Sequence, residues 1–359
     1  MNEHPYNQLP PSAFWRTGVS QENPNALKGI YTKKYTIRRK TKIATSGSCF
    51  AQHIARHLLK RGYKVLDLEP PPPGLPAELH LKYGFSTYSA RYGNIYTTRH
   101  LLQLAREAAG EWSPADWIWE RDGRFYDAFR PSVEPKGLDS PDEVIAHRKY
   151  HIERTRQLFK ELDLFIFTFG LTEMWVHKET GTAYPTAPGV IAGQFDPTIH
   201  IFKNAEFNEV VDDFNTFRKT VKKIRGGRPF RILLTVSPVP LTASASGSHV
   251  LASSTYSKAV LRAAAGKIAA GKKRVDYFPS YEIATNPKLR STAFSDNLRS
   301  IKDEAVDMIM DHFFSVHSNA TIQPQKPITP TKERAATTTS EIALEKIQCE
   351  ESLLDAFGQ

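Results

Sequence analysis

A short turn between a predicted strand and a predicted helix places the strongest constraint on the fold of this chain. Residues from about 41 to 46 are typical of a strand, and the apolar residues of 49–61 recur at helical spacing. Between them lies a small polar stretch, Thr-Ser-Gly-Ser-Cys at 45–49. Open α/β sheets bind their ligands where such turns leave the carboxyl ends of the strands. A further strand at about 63–68 completes a parallel βαβ unit.

The turn offers two candidate nucleophiles, Ser48 and Cys49. Both would lie at the first turn of the following helix, where the helix dipole and the unpaired N–H groups favour an anion, including a thiolate. The sequence therefore predicts a catalytic site at this turn. The alternative interpretation is that Cys49 is a small residue buried under the helix.

The rest of the chain continues the alternation of strands and helices. Apolar runs predict strands at about 162–169, 231–236 and 275–278, with helical crossovers between them. The fold class is therefore α/β, a three-layer α/β/α sandwich with a mostly parallel, five-stranded, flavodoxin-like sheet. A hairpin turn at 121–123 (Arg-Asp-Gly) predicts an inserted hairpin and loop region. Residues 176–206 show no clear periodicity and are predicted to form a long surface excursion.

Composition divides the chain into three parts. Residues 1–40 are rich in Pro, Asn, Tyr and Lys, and we predict an extended arm anchored by Phe14-Trp15. Residues 41–316 form the α/β domain. Residues 317–359 are predicted to be a disordered tail because Pro, Thr, Lys and Gln dominate it through about residue 340, with a short amphipathic helix at 341–356.

The net charge and the cysteine content indicate which partners and which cellular compartment the sequence predicts. The net charge is +10 with a pI near 9.4, but the Lys and Arg residues are dispersed and no nucleic-acid motif is present, so no specific nucleic acid is predicted. The two cysteines form neither a disulfide framework nor a zinc spacing, which predicts a reducing, cytoplasmic location, with no metal and no cofactor. Neither a membrane span nor a signal peptide is predicted. The oligomeric state is left open.

Polar motifs follow the predicted strands, at 46–49, 170–173, 237–240 and 279–282. Because the carboxyl ends of parallel strands meet at one edge of the sheet, these motifs are expected to converge there. Loops are polar in any protein, so the convergence of these motifs, rather than their polarity, supports a site.

The motifs resemble those of a known family. Residues 47–51, Gly-Ser-Cys-Phe-Ala, match the signature of the GSCFA family, a group within the SGNH/GDSL-like hydrolase superfamily. Further matching stretches are Tyr92-Gly93-Asn94-Ile95-Tyr96, Phe167-Thr168-Phe169-Gly170-Leu171-Thr172-Glu173, Leu234-Thr235-Val236-Ser237-Pro238-Val239, Tyr256-Ser257-Lys258 and Tyr277-Phe278-Pro279-Ser280-Tyr281-Glu282. The resemblance covers about residues 4–315 and implies a fold and a class of chemistry, but no substrate.

The resemblance implies a nucleophile and oxyanion donors. The superfamily's first block, Gly-Asp-Ser, aligns without gaps on Gly47-Ser48-Cys49, which favours Cys49 as the nucleophile; a shift of one residue would select Ser48. The second block implies that the Gly93 N–H is an oxyanion donor, with the Asn94 side chain beside it. A turn glycine is the alternative role for Gly93.

The third block of the superfamily, Gly-x-Asn-Asp, resembles Gly170-Leu171-Thr172-Glu173. Thr172 replaces the Asn that would donate to the oxyanion, although its hydroxyl is also a donor. Glu173 is expected either to orient Ser48 or a base, or to act only as an acidic cap at the start of a helix.

The last block, Asp-x-x-His, normally supplies the general base. Its best match here begins at Asp296 and places Arg299 at the His position. Arginine stays protonated and cannot act as a base, but it can hold a thiolate, a carboxylate or a phosphate. His249, after the 237–240 edge, is the alternative base, and His53 is a further candidate beside Cys49.

These expectations lead to three hypotheses for the function, of which nucleic-acid binding driven by the net charge is the last. The first is an acyl-group enzyme, either an esterase or deacylase or an O-acyltransferase, working through a Cys or Ser acyl-enzyme on a small-molecule or carbohydrate acyl ester, with acyl-coenzyme A as a candidate donor. Within this hypothesis, the missing histidine favours acyl transfer over hydrolysis. The second is a non-catalytic binding module that keeps the fold without the base.

Overall fold

The computed structural model describes residues 4–318 and 349–358 of the 359-residue chain. The strands are β1 (Ile43–Gly47), β2 (Ile118–Arg121), β3 (Arg124–Asp127), β4 (Leu164–Phe169), β5 (Glu173–His177), β6 (Ala183–Tyr184), β7 (His200–Asn204), β8 (Arg231–Val236) and β9 (Val275–Tyr277). The α-helices are α1 (Phe50–Lys60), α2 (Ala77–His80), α3 (Thr98–Ala109), α4 (Pro141–Glu161), α5 (Phe207–Ile224), α6 (Val250–Ala269), α7 (Ser280–Ala284), α8 (Arg290–Ala293) and α9 (Asp303–His317). Short 3₁₀ or π segments lie at Pro11–Ala13, Arg16–Ser20 and Glu350–Phe357.

Four strands form a parallel central sheet in the order β1-β4-β8-β9. Gly47 at the end of β1 lies opposite Thr168 of β4, which in turn lies opposite Thr235 of β8. Because the strands run in the same direction, their carboxyl ends share one edge, and β4 and β8 end there at Phe169 and Val236. The register therefore brings the turn after β1 beside the segment that follows β4.

The predicted strand at 63–68 does not complete a fifth member of the sheet. Val65 forms a single parallel bridge with Ile43 of β1. The Leu68 N–H then donates to the Ser89 carbonyl at 2.9 Å, so the segment leaves the sheet edge. The mixed α/β class is present, but the prediction of five strands is not confirmed.

Helices cover both faces of the central sheet. Phe165 and Phe167 of β4 belong to a cluster that includes Phe214 of α5. Leu164 and Ile166, the alternate residues, belong to a second cluster with residues of α1 and α9. Since successive strand side chains lie on opposite faces, the near-continuous apolar run of β4 is explained by burial on both sides.

Two smaller sheets flank the central one. The predicted hairpin is confirmed, because β2 and β3 pair in antiparallel fashion across residues 122–123. The stretch 176–206 was predicted to be a long surface excursion without clear periodicity, whereas the structure contains regular strands there. This stretch contributes β6 and β7 to an antiparallel sheet in the order β6-β5-β7, in which Trp175 lies between Tyr184 and Phe202.

A buried ion-pair network joins the hairpin to the helices. The Asp127 carboxylate, at the end of β3, accepts hydrogen bonds from Arg130 Nε at 2.8 Å and from Arg148 Nη1 of α4 at 2.9 and 3.0 Å. Arg148 also donates to Glu107 of α3 at 2.8 Å. These charges fix the hairpin against α3 and α4.

The N-terminal arm lies along the domain, but its anchor differs from the predicted one. Trp15 of the Phe14-Trp15 pair is 67% exposed. Leu27, Tyr31 and Ile37 are buried instead, and the Tyr31 hydroxyl donates to Asp276 Oδ2 of β9 at 3.1 Å. Apolar character alone therefore pointed to the wrong part of the arm.

Part of the tail returns to the domain. Residues 349–358, here called the C-terminal segment, include the 3₁₀ helix Glu350–Phe357. The predicted disorder of 319–348, and the first part of the helix predicted at 341–356, lie outside the described residues. Among the residues that are described, no helix has the length and apolar character needed to cross a bilayer.

Candidate functional site

The turn after β1 depends on glycine. Gly47 has φ +139°, and a Cβ there would overlap the backbone of Thr168. The Ser48 N–H donates to the Thr168 carbonyl at 3.1 Å, and α1 begins at Phe50. The strand–turn–helix predicted from the sequence is present, with Ser48 and Cys49 between β1 and α1.

Ser48 is buried against the segment that follows β4. A Cβ at Gly170 would lie 3.0 Å from the Ser48 Cβ, so this close approach favours glycine. The Gly170 N–H donates to the Tyr96 carbonyl at 3.1 Å, so it is engaged within the backbone. The Ser48 hydroxyl has no hydrogen-bond partner among the described residues.

Cys49 is buried, and its thiol is in hydrogen-bond contact with Cys349 of the C-terminal segment. This hydrogen bond, together with burial, raises the pKa of Cys49 well above its usual value, whereas Arg299 acts in the opposite direction. The same hydrogen bond, with Arg299, lowers the pKa of Cys349 to about 6. The direction of the Cys49 shift runs against the predicted stabilisation of a Cys49 thiolate, which stays a prediction.

The C-terminal segment places a carboxylate beside the predicted oxyanion residues. Asn94 Nδ2 and the Tyr96 hydroxyl both donate to Glu350 Oε2, the latter at 2.8 Å. The Ser132 hydroxyl donates to Glu350 Oε1 at 2.5 Å. Gly93 has φ +65°, and a Cβ there would lie 3.7 Å from Glu350 Oε1. We call Asn94, Tyr96 and Ser132, with Gly93 beside them, the carboxylate pocket.

Asn94 is held in place by residues that do not belong to the tail. Its Oδ1 accepts from the Tyr88 hydroxyl at 2.5 Å and from Gln52 Nε2 of α1 at 3.2 Å. The Tyr88 oxygen also lies 3.0 Å from the Ser48 carbonyl oxygen. The side-chain amide is therefore oriented by the β1–α1 turn, with its N–H groups towards the pocket.

Lys258 of α6 is a buried amine at the same site. Its Nζ donates to the Gly170 carbonyl at 2.6 Å. Burial lowers the pKa of Lys258 to about 8, although the charges of Glu351 and Cys49 act to raise it. Lys258 is therefore a neighbour of Cys49 that exchanges its proton near neutral pH.

Arg299 lies at the site, as predicted from its place in the last motif. Its Nη2 is 3.7 Å from Cys349 Sγ and 3.2 Å from Glu351 Oε2. Burial raises the pKa of Glu351 to about 7, with the nearby Cys349 adding to the rise and Arg299 opposing it. Asp296 is exposed, and the described residues show no hydrogen bond or ion pair of its carboxylate. Of the two ends of the Asp-x-x-His match, Arg299 therefore contacts the C-terminal segment, whereas Asp296 faces solvent.

Thr172 and Glu173 follow β4 but do not orient Ser48. The Thr172 N–H donates to Ser257 Oγ at 3.0 Å, and its buried hydroxyl has no partner among the described residues. Glu173 Oε1 accepts from Ser244 at 2.7 Å, and Glu173 begins strand β5 rather than a helix. The structure thus supports neither interpretation of Glu173, whose contact is with the 241–249 loop.

The two histidines considered as bases differ in their surroundings. His249 is exposed and caps α6, where its Nδ1 accepts from the Leu251 N–H at 3.1 Å. Its described hydrogen bonds are local to that helix start. His53 lies on α1, where burial, with Arg56, lowers its pKa to about 3. His53 is thus a neutral imidazole, and His249 is engaged in capping.

Sequence reasoning missed three parts of this site. Tyr96 and Lys258 stand inside matching stretches, but no motif assigned either of them a role. Ser132 lies in an irregular loop. The C-terminal segment carried a signal in its cysteine, because Cys49 and Cys349 are the only two cysteines in the sequence.

Comparison with known proteins gives one match. The sequence model of the GSCFA family matches residues 42–313. This range contains every site residue predicted from the sequence, whereas the C-terminal segment lies beyond it. No curated protein matches the chain.

Proposed function

The chain belongs to the GSCFA family, and we propose that it is an acyl-group enzyme in which Cys49 forms an acyl-enzyme. One observation carries this proposal: the Cys49 thiol lies in the same site as side chains that already hold a carboxylate, Asn94 and Tyr96. A carboxylate is the product of acyl hydrolysis, and its oxygens resemble the oxyanion of the preceding intermediate.

We further propose that the fold is the three-layer α/β/α sandwich of the SGNH/GDSL-like superfamily. The parallel order β1-β4-β8-β9 and the helices on both faces support this assignment. The position of the nucleophile turn at the carboxyl end of β1 supports it as well.

Cys49 is favoured over Ser48 as the nucleophile. The Cys49 thiol contacts the C-terminal segment and is an electrostatic neighbour of Tyr88, Tyr96 and Lys258. Ser48 is buried against Gly170 instead. A thiol also needs less assistance from a base than a hydroxyl does.

Lys258 is the proposed general base in place of the missing histidine. A base works best when its pKa is near the working pH, and burial gives Lys258 a pKa of about 8. Arg299 cannot accept a proton, and His249 caps a helix. Arg299 instead supplies a fixed positive charge that favours ionisation of Cys49.

The proposed reaction has two halves. The Cys49 sulfur bonds to the acyl carbon as its proton passes to neutral Lys258, and the carbonyl oxygen takes the negative charge beside Asn94 and Tyr96. Collapse of this intermediate breaks the bond to the leaving oxygen or sulfur, which takes the proton from Lys258. Water or an acceptor hydroxyl then attacks the thioester and gives its proton to Lys258, and the departing Cys49 sulfur recovers that proton.

The substrate class follows from the charges of the site. Arg299 suits an anionic donor such as acyl-coenzyme A, while the polar carboxylate pocket suits a hydroxyl-rich acceptor such as a carbohydrate. Ester hydrolysis and O-acyl transfer share the same acyl-enzyme, so both remain within the proposal.

Acyl-enzyme trapping tests the proposal. The full chain is incubated with p-nitrophenyl acetate or acetyl-coenzyme A, and peptides are examined by mass spectrometry for an acetyl adduct. Cys49→Ala should abolish the adduct, whereas Ser48→Ala should retain it. The Glu350→Ala chain is tested in parallel because its pocket holds no carboxylate side chain. Absence of both adduct and turnover in all chains that retain Cys49 would overturn the proposal.

The raised pKa of Cys49 favours a second candidate function, a binding module that holds acids without reacting. This candidate predicts that Cys49 keeps a high pKa even when Glu350 is removed. The pH dependence of Cys49 alkylation in Glu350→Ala distinguishes the two functions, since an enzyme requires an accessible thiolate near neutral pH.

A further inference from the structure

The C-terminal segment contains a carboxylate buried in a site built by other parts of the chain. Glu350 is 6% exposed. Its partners come from the loop before α3, in Asn94 and Tyr96, and from the loop before α4, in Ser132. A carboxylate loses much hydration on burial, so it is stable there only when donors replace the lost water.

The donors of the pocket do not depend on Glu350 for their arrangement. Asn94 is oriented by Tyr88 and Gln52, and Tyr96 is fixed by backbone hydrogen bonds that its carbonyl accepts from Gly170 and Leu171 at 3.1 and 3.2 Å. The pocket has three converging donors, and among these contacts Glu350 is the one acidic side chain. The pocket is therefore a receptor for one carboxylate. Such a site accepts the carboxylate of any molecule whose shape fits.

We infer that the pocket formed by Asn94, Tyr96 and Ser132 is a carboxylate-binding site, and that the C-terminal segment occupies it as an intramolecular ligand that shields Cys49. External monocarboxylates then compete with Glu350 for the same three donors. This inference rests on the site geometry and concerns its occupancy, so it stands whether or not the proposed acyl chemistry is correct.

Two neighbouring contacts orient the segment in the pocket. Arg299 holds Glu351 at 3.2 Å, and Cys349 contacts both Cys49 and the Tyr96 hydroxyl, the latter at 3.8 Å. Three consecutive residues of the segment therefore contact the site, and Tyr96 and Arg299 each contact two of them. The contacts cover Cys49 and keep its thiol protonated.

The rate of Cys49 alkylation tests occupancy without any assumption about catalysis. The full chain is treated briefly with iodoacetamide, a neutral reagent, and modification is quantified on the peptide that contains Cys49. Glu350→Ala should raise the initial rate about tenfold or more, because modification of a covered group follows the population of the open form. Asp355→Asn is the matched control, since Asp355 is an exposed acid of the same segment, and it should leave the rate unchanged.

Added acid then tests the chemistry of the pocket. Sodium acetate should slow Cys49 alkylation in Glu350→Ala, whereas acetamide, which has the same shape and no charge, should not. Glu350→Gln keeps the size of the side chain and should also speed alkylation. Equal alkylation rates in the wild-type and Glu350→Ala chains, or no effect of acetate on the variant, would overturn the inference. Thermal unfolding of each variant confirms that the domain is intact.

Discussion

Cys49, in the turn after β1, lies in hydrogen-bond contact with Cys349 of the C-terminal segment, and each thiol shifts the pKa of the other. The two thiols are far apart in the sequence, and they belong to its only two cysteines. Both sulfurs also lie within the electrostatic influence of Arg299.

The contact predicts a specific disulfide. Diamide takes two hydrogens from a pair of adjacent thiols and leaves a disulfide bond, and the lowered pKa of Cys349, about 6, provides the attacking thiolate at neutral pH. We expect an intramolecular Cys49–Cys349 cross-link in non-reducing peptide mass spectrometry. Cys349→Ser should form none, and a wild-type protein that yields only dimers would contradict the placement of the segment.

A second prediction concerns Lys258. Its pKa of about 8 means that the neutral, basic form increases as the pH rises through that value. If Lys258 is the base, kcat/KM for p-nitrophenyl acetate should rise through about pH 8 and then level off. Lys258→Met should lower it by about 10²- to 10⁴-fold and remove this step in the pH profile.

The matched control for Lys258 lies on the same helix. Lys267 of α6 is exposed, so Lys267→Met should keep both the rate and the pH profile. A Lys258→Met protein that retains the wild-type profile would assign the proton transfer to another group.

The third prediction concerns the turn itself. Gly47→Ala should lower the free energy of unfolding by about 3 kcal/mol or more, because a Cβ both requires a rare backbone conformation and overlaps Thr168. Gly62→Ala is the control: its φ is +75°, but no atom lies within 4 Å of the added carbon. It should cost only about 1–2 kcal/mol. Urea unfolding curves measure both, and equal losses would mean that the Thr168 contact is unimportant.

The fourth prediction concerns acid stability. Burial opposes ionisation of Asp127, but Arg148 and Arg130 outweigh it and hold the pKa of Asp127 well below its ordinary value of 3.8. A carboxyl with a depressed folded-state pKa stabilises the fold above the unfolded value and loses that contribution as the pH falls further. Asp127→Asn should therefore cost about 3–5 kcal/mol near neutral pH and flatten the loss of stability below about pH 4.

Asp122 provides the comparison for Asp127. It lies in the β2–β3 turn with its side chain 89% exposed, so Asp122→Asn should change neither the free energy of unfolding nor its pH dependence by more than about 0.5 kcal/mol. Urea unfolding at neutral and acid pH measures both substitutions. If Asp122→Asn and Asp127→Asn changed the free energy of unfolding by similar amounts, the result would argue against a stabilising role for the Asp127 ion-pair network.

Local patterns in the sequence predicted much of the central parallel sheet and its helices. The apolar run of β4 and the Gly47 turn carry their own signals, because burial on both faces and a positive φ each restrict the residue types that fit. The sheet of β5, β6 and β7 carried no such signal. Its pairs, including Trp175 with Phe202, join residues that are distant in sequence. Its strands also show no regular alternation of apolar and polar residues.

The candidate site was predictable only in part, for the same reason. The family resemblance pointed to Cys49, Asn94 and Arg299, which the structure places around the C-terminal segment. It gave Lys258 no role, because the pKa of Lys258 depends on burial that tertiary packing creates. Nor could it foresee the raised pKa of Cys49, because the largest cause is Cys349, which lies in a segment beyond the matched family range.

The Glu350 contact has a consequence for how the protein responds to its surroundings. Because the ligand is covalently part of the receptor, its local concentration at the pocket does not change when the protein is diluted. Dilution alone therefore cannot uncover Cys49. Uncovering requires a partner that binds residues 349–358 and draws them away from the site, and the exposed side of this short helix is the surface available to such a partner.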